Sequence, residues 1–129
     1  MIAEFHAKHG KGIGGFGDRL LLLTTKGAKS GRAQLVPVAY HRDGDRYVIV
    51  ASKSGAPTNP DWYHNLKAHP NTRIEVGSET IDVIAEEATG EEHDRLFARA
   101  AKRYPQLVDL ARRTDRVIPM IVLTPRGNA

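Results

Sequence analysis

Residues 24–40 read TTKGAKSGRAQLVPVAY, a strand-forming run that breaks at a basic turn and returns as a second strand. Lys26, Lys29 and Arg32 share the bend with Gly27, Ser30 and Gly31, so three cations, a hydroxyl and flexible backbone amides crowd one place. Amides in such a turn can form a concave nest, and Lys and Arg add the charge that a phosphate or carboxylate complements. The same residues also make an ordinary solvated turn, because Gly, Ser and Lys are common in loops. Leu20 to Thr25 leads in as a short continuous apolar run and Leu35 to His41 leaves as another, consistent with two strands. Pro37 cannot donate to a ladder and argues for an edge or a bulge in the second. A nucleotide-hydrolase phosphate loop would need glycines where Leu23 and Ala28 stand, so that motif is excluded.

Downstream, Arg42 to Asp45 contains Asp43-Gly44, a hairpin signal, and Arg46 to Ser52 returns as a third strand. It runs into Ser52, Lys53, Ser54, Gly55, Ala56 and Pro57, a second polar loop that could face the same ligand as the first. Ser52 beside Lys53 has no nucleophile-elbow motif or base, so hydrogen bonding is the role the residues themselves support. Pro60 to Ala68 predicts a short helix with Asn59 as N-cap and proline at its first position. Trp62 and Leu66, four apart, predict packing on the sheet; an aromatic wall for a planar ligand is the functional alternative.

Thr72 to Val76 and Glu79 to Glu86 alternate as strands around Gly77-Ser78. Thr89 and Glu92 form a capping-box pattern opening a helix to about Tyr104, with Leu96, Phe97, Ala100 and Ala101 as its apolar stripe and His93 at its surface. Pro105 to Arg113 predicts a further short helix with Leu107, Leu110 and Ala111 inward, and Ile118 to Thr124 a last strand. Six strands and about three helices, mostly joined by hairpins, predict an antiparallel α+β domain with a curled sheet or small barrel.

Upstream, Met1 to Lys11 is polar and basic. His6 and His9 have helix-compatible metal spacing, but no third ligand follows. Gly12, Gly14 and Gly17 match the dinucleotide-binding glycine pattern in the wrong context, because the fingerprint must follow a strand and open a helix. Residues 1–17 therefore read as a flexible segment of a single domain spanning 1–129. The 129 residues hold no cysteine, which excludes disulfides, thiolate metal sites and a cysteine nucleophile. The longest apolar run, Leu20 to Leu23, is far short of a membrane span, and the start lacks a signal peptide's apolar core, so an intracellular, soluble protein is expected. A formal net charge of +4 favours anionic partners and names none. No paired carboxylates, metal cluster or Ser-His-Asp arrangement presents itself, so any redox or transfer chemistry would be carried by a cofactor.

LLLTTKGAKSGRAQLVPV (21–38) and VIVASKSGAPTNPDWYHNLKAHPNTRIEVG (48–77) resemble the deazaflavin-dependent nitroreductase family, whose members use coenzyme F420. The likeness resumes as RYP near Tyr104 and as TDRVIPMIVLTP near the end. The resemblance implies a split β-barrel related to flavin-binding oxidoreductases and a cofactor groove. It assigns Lys29, Ser30 and Arg32 to the cofactor's phosphate and glutamate-bearing tail. Gln34, Leu35, Val36 and Pro37 would border the ring; Ala51, Ser52, Lys53 and Ser54 would form the second loop, with Ser52 the first candidate catalytic donor. Pro60, Trp62, Tyr63 and Asn65 would close over the cofactor. The implied reaction is hydride transfer from the reduced deazaflavin to a quinone, an activated enone or a nitroaromatic.

Tyr104, Leu107 and Leu110 fall where the nitroreductase branch carries several tyrosines around the acceptor, so the resemblance implies a more apolar acceptor wall and weak activity on bulky nitroimidazoles. Three competing readings stand: an FMN-dependent reductase with less need for Lys29 and Lys53, a non-catalytic deazaflavin carrier, and nucleic-acid binding, for which no module is present. A small-molecule acceptor, a cytoplasmic location and no metal are expected. Monomer against homodimer, and contact of the basic start with the inner membrane face, stay open.

Overall fold

The computed structural model of the chain describes residues 20–51, 59–114 and 117–126. The apolar runs become strands β1 (Leu20–Lys26), β2 (Ala33–Asp43), β3 (Arg46–Val50), β4 (Asn71–Val76), β5 (Glu79–Glu87) and β6 (Met120–Pro125). The helices are α1 (Asp61–Ala68), α2 (Gly90–Arg103) and α3 (Gln106–Arg112). The strands close a barrel in the order β1-β2-β3-β6-β5-β4, every pairing antiparallel. The β2–β3 and β4–β5 hairpins turn at Gly44 (φ 65°) and Gly77 (φ 61°), a backbone region that side chains disfavour. The α+β split-barrel expectation therefore holds.

Period-2 alternation sorts the strands into two apolar layers. Leu21, Leu23, Val38, Tyr47, Ile49, Ile74, Val83, Ile121 and Leu123 fill the barrel, and Trp62 and Leu66 of α1 join them. Val48, Met120 and Val122 point the other way and pack under Leu96 and Ala100 of α2 and Leu107 of α3. β3 and β6 are thus apolar on both faces, which is why they read as continuous rather than alternating runs.

Several local expectations shift. β3 ends at Val50, and α1 starts at Asp61 with Pro60 as its N-cap and no side-chain cap bond, one place later than the Asn59 reading. Thr89 does occupy the N-cap of α2 in extended backbone, yet its side chain makes no cap bond. Gly90 at φ 60° starts that helix outside the right-handed region, and this departs from the geometry the capping box requires. His93 is not a surface residue: its side chain is 16% exposed and Nε2 lies 2.8 Å from the Ile118 carbonyl, anchoring α2 to the chain entering β6. The readings placed on residues 1–17 and 52–57 lie outside the described residues. No helix among the described residues is long and apolar enough to cross a membrane.

Candidate functional site

β2 does two jobs along its length. Ala33 to Ala39 pair with β1, while only Tyr40 to Asp43 pair with β3. Among the described residues the Ala33–Ala39 segment has no strand on its second side, so the barrel is split there. Pro37 lies in this half, opposite Leu22, consistent with an edge position where a missing N–H costs little. Leu35 in the same segment is 41% exposed, a large apolar side chain left partly open to solvent.

The basic turn ends the split. Gly27 N–H donates to the Arg32 carbonyl at 2.8 Å, Gly31 N–H to the Gly27 carbonyl at 2.9 Å, and Arg32 N–H to Ser30 Oγ at 3.2 Å. Ala28 N–H donates to Asn65 Oδ1 at 3.0 Å. Among the described residues the amides of Lys29 and Ser30 are the ones without a hydrogen-bond partner in this bend, so an extended amide nest does not form. A Cβ on Gly27 would stand 2.4 Å from Ser30 Oγ, so a side chain there would displace the hydroxyl. Lys26, Lys29 and Arg32 are exposed and have no ion-pair or hydrogen-bonded side-chain partner among the described residues. Lys29 and Ser30 line a cleft of about 410 Å³ with Gly27, Ala28, Gln34 and three residues of α1. Lys26 instead lines a cavity of about 360 Å³ on the far side of β1, beside Arg73 and Arg126.

α1 presents Asp61, His64 and Asn65 to the cleft and Trp62 and Leu66 to the barrel interior. Those two sets occupy different sectors of a 3.6-residue period, a pattern carried by the sequence itself. Asp61 and His64 were nevertheless not singled out. Asn65 is buried (7% exposed); besides accepting from Ala28 N–H, its Nδ2 donates to Thr25 Oγ1 at 3.3 Å. It holds the turn against the helix. Tyr63 donates its hydroxyl to Glu87 Oε1 at 2.7 Å, and Lys67 Nζ lies 3.0 Å from the same oxygen. Burial raises the Tyr63 phenol and the Glu87 carboxylate raises it further. Burial also pushes Glu87 up, but the Tyr63 and Lys67 hydrogen bonds outweigh it and leave the carboxyl below its ordinary value.

Of the residues singled out from sequence, the structure therefore gathers Lys29, Ser30, Gln34 and Asn65 around one cleft, with Leu35, Val36 and Pro37 along the adjoining split edge. Arg32 is on the same turn but outside that lining, and Ala51, in the barrel core, and Pro60 are buried without lining the cleft. Trp62 is 9% exposed within the barrel core, the packing alternative rather than an aromatic wall. Tyr104 donates its hydroxyl to the Tyr40 carbonyl at 3.1 Å, Leu107 is 4% exposed in the outer apolar layer, and Leu110 is half-buried. None of the three lines the cleft. Ser52, Lys53 and Ser54 lie outside the described residues. No group of three or more His, Cys, Asp or Glu able to hold a metal occurs among the described residues.

A closed antiparallel barrel split along one strand, with helices outside and a basic turn at the split, is a split β-barrel. Comparison with known proteins narrows the class. The family model described as F420H(2)-dependent quinone reductase matches residues 1–125, and the chain belongs to that family of oxidoreductases, whose cofactor is coenzyme F420. It is 44% identical over 114 residues to an F420H(2)-dependent quinone reductase of Mycobacterium tuberculosis, covering 82% of this chain and 73% of the relative. A solved F420-H2 dependent reductase superposes with a TM-score of 0.75 at 37% identity, over 81% of this chain and 93% of the other. A second solved chain, described as a domain-swapped dimer, gives 0.78 at 34% identity over 95% and 93%. HutZ of Vibrio cholerae, a heme storage protein, shares the fold alone at 16% identity and a TM-score of 0.65 over 98% and 89%.

The described residues suit this cofactor on chemical grounds. Its anionic tail calls for uncommitted cations, which Lys29 and Arg32 are, and its planar ring for an open apolar strand edge, which Leu35 marks.

Proposed function

We propose that this chain uses reduced coenzyme F420 to reduce a quinone at the split edge of β2, with enones and nitroaromatics as secondary acceptors. When bound, the reduced deazaflavin supplies a hydride. The chain's own residues bind, align and shield. Lys29 and Arg32, with Ser30, hold the negatively charged tail; Gln34 to Pro37 border the ring through the strand edge; Asn65 fixes the turn. Holding donor and acceptor in register contributes up to about 7–11 kcal/mol of barrier lowering, so no triad is required. Ser52 and Lys53, beyond Ala51, are assigned to the acceptor oxygen and the tail respectively, a hydroxyl donor there stabilising developing negative charge.

The observation that carries this reading is the uncommitted Lys29 and Arg32 beside a strand edge left open, in a member of an F420-using family. The experiment is a spectroscopic assay of reduced-F420 oxidation against a panel of quinones, enones and nitroaromatics, with equilibrium titration by F420 and by FMN. Each charged contact is worth about 1.5–3 kcal/mol, so the Lys29→Ala/Arg32→Ala protein should bind F420 at least about 100-fold more weakly. Unchanged affinity in that variant would overturn the site. Tighter binding of FMN would identify an ordinary flavin enzyme, and tight F420 binding without turnover on any acceptor a carrier.

A further inference from the structure

His41 is not used by the hydride-transfer reading, and its surroundings are unusual. The residue is 4% exposed, and neither ring nitrogen has a hydrogen-bond partner among the described residues. Val36, Val38 and Tyr40 of β2 pack with the barrel interior, so strand alternation turns His41 to the outside, beside Val48 on β3 and facing α2. There it lines a cavity of about 380 Å³ with Arg42, Arg99, Lys102 and Arg103, none of which lines the cleft at the basic turn.

The cavity is rich in donors and short of acceptors. Arg99 is partly committed, Nη1 to Asp43 Oδ1 at 2.7 Å and Nη2 to the Arg42 carbonyl at 3.3 Å. Arg42 bonds the Tyr47 hydroxyl and the Gly44 carbonyl. Asp43, the neighbouring acid, already serves Arg46, Arg95 and Arg99. Lys102, Arg103 and the His41 ring have no partner among the described residues. A buried polar ring with neither nitrogen bonded is uncommon in folded proteins and calls for a partner. Four cations around it restrict that partner to a group with several lone pairs and negative charge.

We propose that this cavity between β2 and α2 binds a phosphate-class oxyanion, either a free phosphate or phosphomonoester or the phosphate of a lipid headgroup. Lys102, Arg103 and Arg99 supply charge at its rim and His41 the donor at its floor. Without the anion, burial first, then Arg99 and Arg103, hold His41 below its ordinary pKa, while Asp43 acts weakly the other way. The ring is therefore neutral near pH 7 and can donate through only one nitrogen. A dianion reverses the local field and favours the imidazolium, so binding takes up a proton and strengthens as pH falls.

Sulfate, which stays dianionic through the histidine range, isolates this coupling, and inorganic phosphate follows as the second probe. Nitrogen-15 NMR of the His41 ring in the whole chain should show a sulfate-dependent shift and a raised titration midpoint. Sulfate affinity should rise by up to about tenfold per pH unit on acidification through the ring's titration. His41→Leu should abolish that pH dependence and weaken binding at least about tenfold, as should Lys102→Gln/Arg103→Gln on the surface. Both variants should keep their F420 affinity, which separates loss of this site from misfolding and from failure of the hydride-transfer reading. Sedimentation with phosphatidic acid vesicles against phosphatidylcholine vesicles separates the sources, His41-dependent retention on the former alone marking a headgroup. If sulfate, phosphate and vesicles act alike on wild type and His41→Leu, or His41 does not respond to them, the proposal is overturned.

Discussion

At residue scale the densest electrostatics surround two nearby residues on β2, both with pKa values held down but for different reasons. Asp43 is tied by Arg95 and Arg46, which hold its carboxyl well below the usual carboxylate range. Its contribution is present above an ordinary pKa of about 3.8 and lost as pH falls through that value and below. His41 has a depressed pKa for the reason given, so below about 6.5 the unfolded chain binds the proton that the folded chain refuses. Stability then falls as pH drops through the histidine range. An unsatisfied buried group costs about 1–3 kcal/mol. In anion-free buffer, His41→Leu should raise unfolding free energy by about that amount at pH 7 and by more at pH about 5.5. Asp43→Asn should lose stability at neutral pH and show a flatter acid limb. Urea midpoints across pH check both; a His41→Leu protein less stable than wild type at both pH values would contradict the assignment of an unpaired ring.

At the scale of elements, α1 works as a two-sided part. Trp62 and Leu66 plug the barrel, while Asn65 reaches from the same helix to Ala28 N–H and Thr25 Oγ1. Because the Gly27, Gly31 and Arg32 amides are spent within the turn, this side chain is what ties the bend to the helix. Asn65→Ala should cost about 1–3 kcal/mol of stability, the scale of an orphaned buried group. It should also weaken F420 binding by about tenfold through the displaced Lys29, whereas Asn65→Asp should retain the Ala28 bond and most of the affinity. Thermal denaturation alongside cofactor titration tests this. A loss of stability with no change in affinity would reduce Asn65 to a packing role. β2 is two-sided in another sense, paired on both sides only from Tyr40 onward, so one strand carries both the open edge and the wall beneath α2.

At the scale of the whole molecule, the two apolar layers separate stability from the site. Leu96 is fully buried in the outer layer with Val48, Met120 and Val122, and none of these residues lines the cleft at the basic turn. Leu96→Ala should cost about 2–5 kcal/mol yet leave F420 affinity within about twofold at temperatures where the protein is folded. Denaturant titration and a binding isotherm on one preparation decide it. A parallel collapse of affinity would show that the α2 layer is coupled to the cleft. The split itself is a property of the closed barrel: six strands meet around the axis, but β3 covers only one end of β2.

The amino-acid sequence by itself determined where the strands lie, since apolar runs and Gly turns are local signals, and it placed a cluster of cations on the 24–40 bend. Family-specific motifs in the same stretch carried the cofactor. Only the tertiary structure decided which groups are spent. It gave Ala28 N–H to Asn65, closed the Gly27, Gly31 and Arg32 amides on oxygens of the turn itself and drew Trp62 and Leu107 into packing layers. It also left the His41 ring buried and unpaired among four cations. Those outcomes depend on pairings between residues tens of positions apart. A hydrogen-bonding group has the same chemistry wherever it stands in the chain, and whether it is free, satisfied or stranded is settled when distant elements meet.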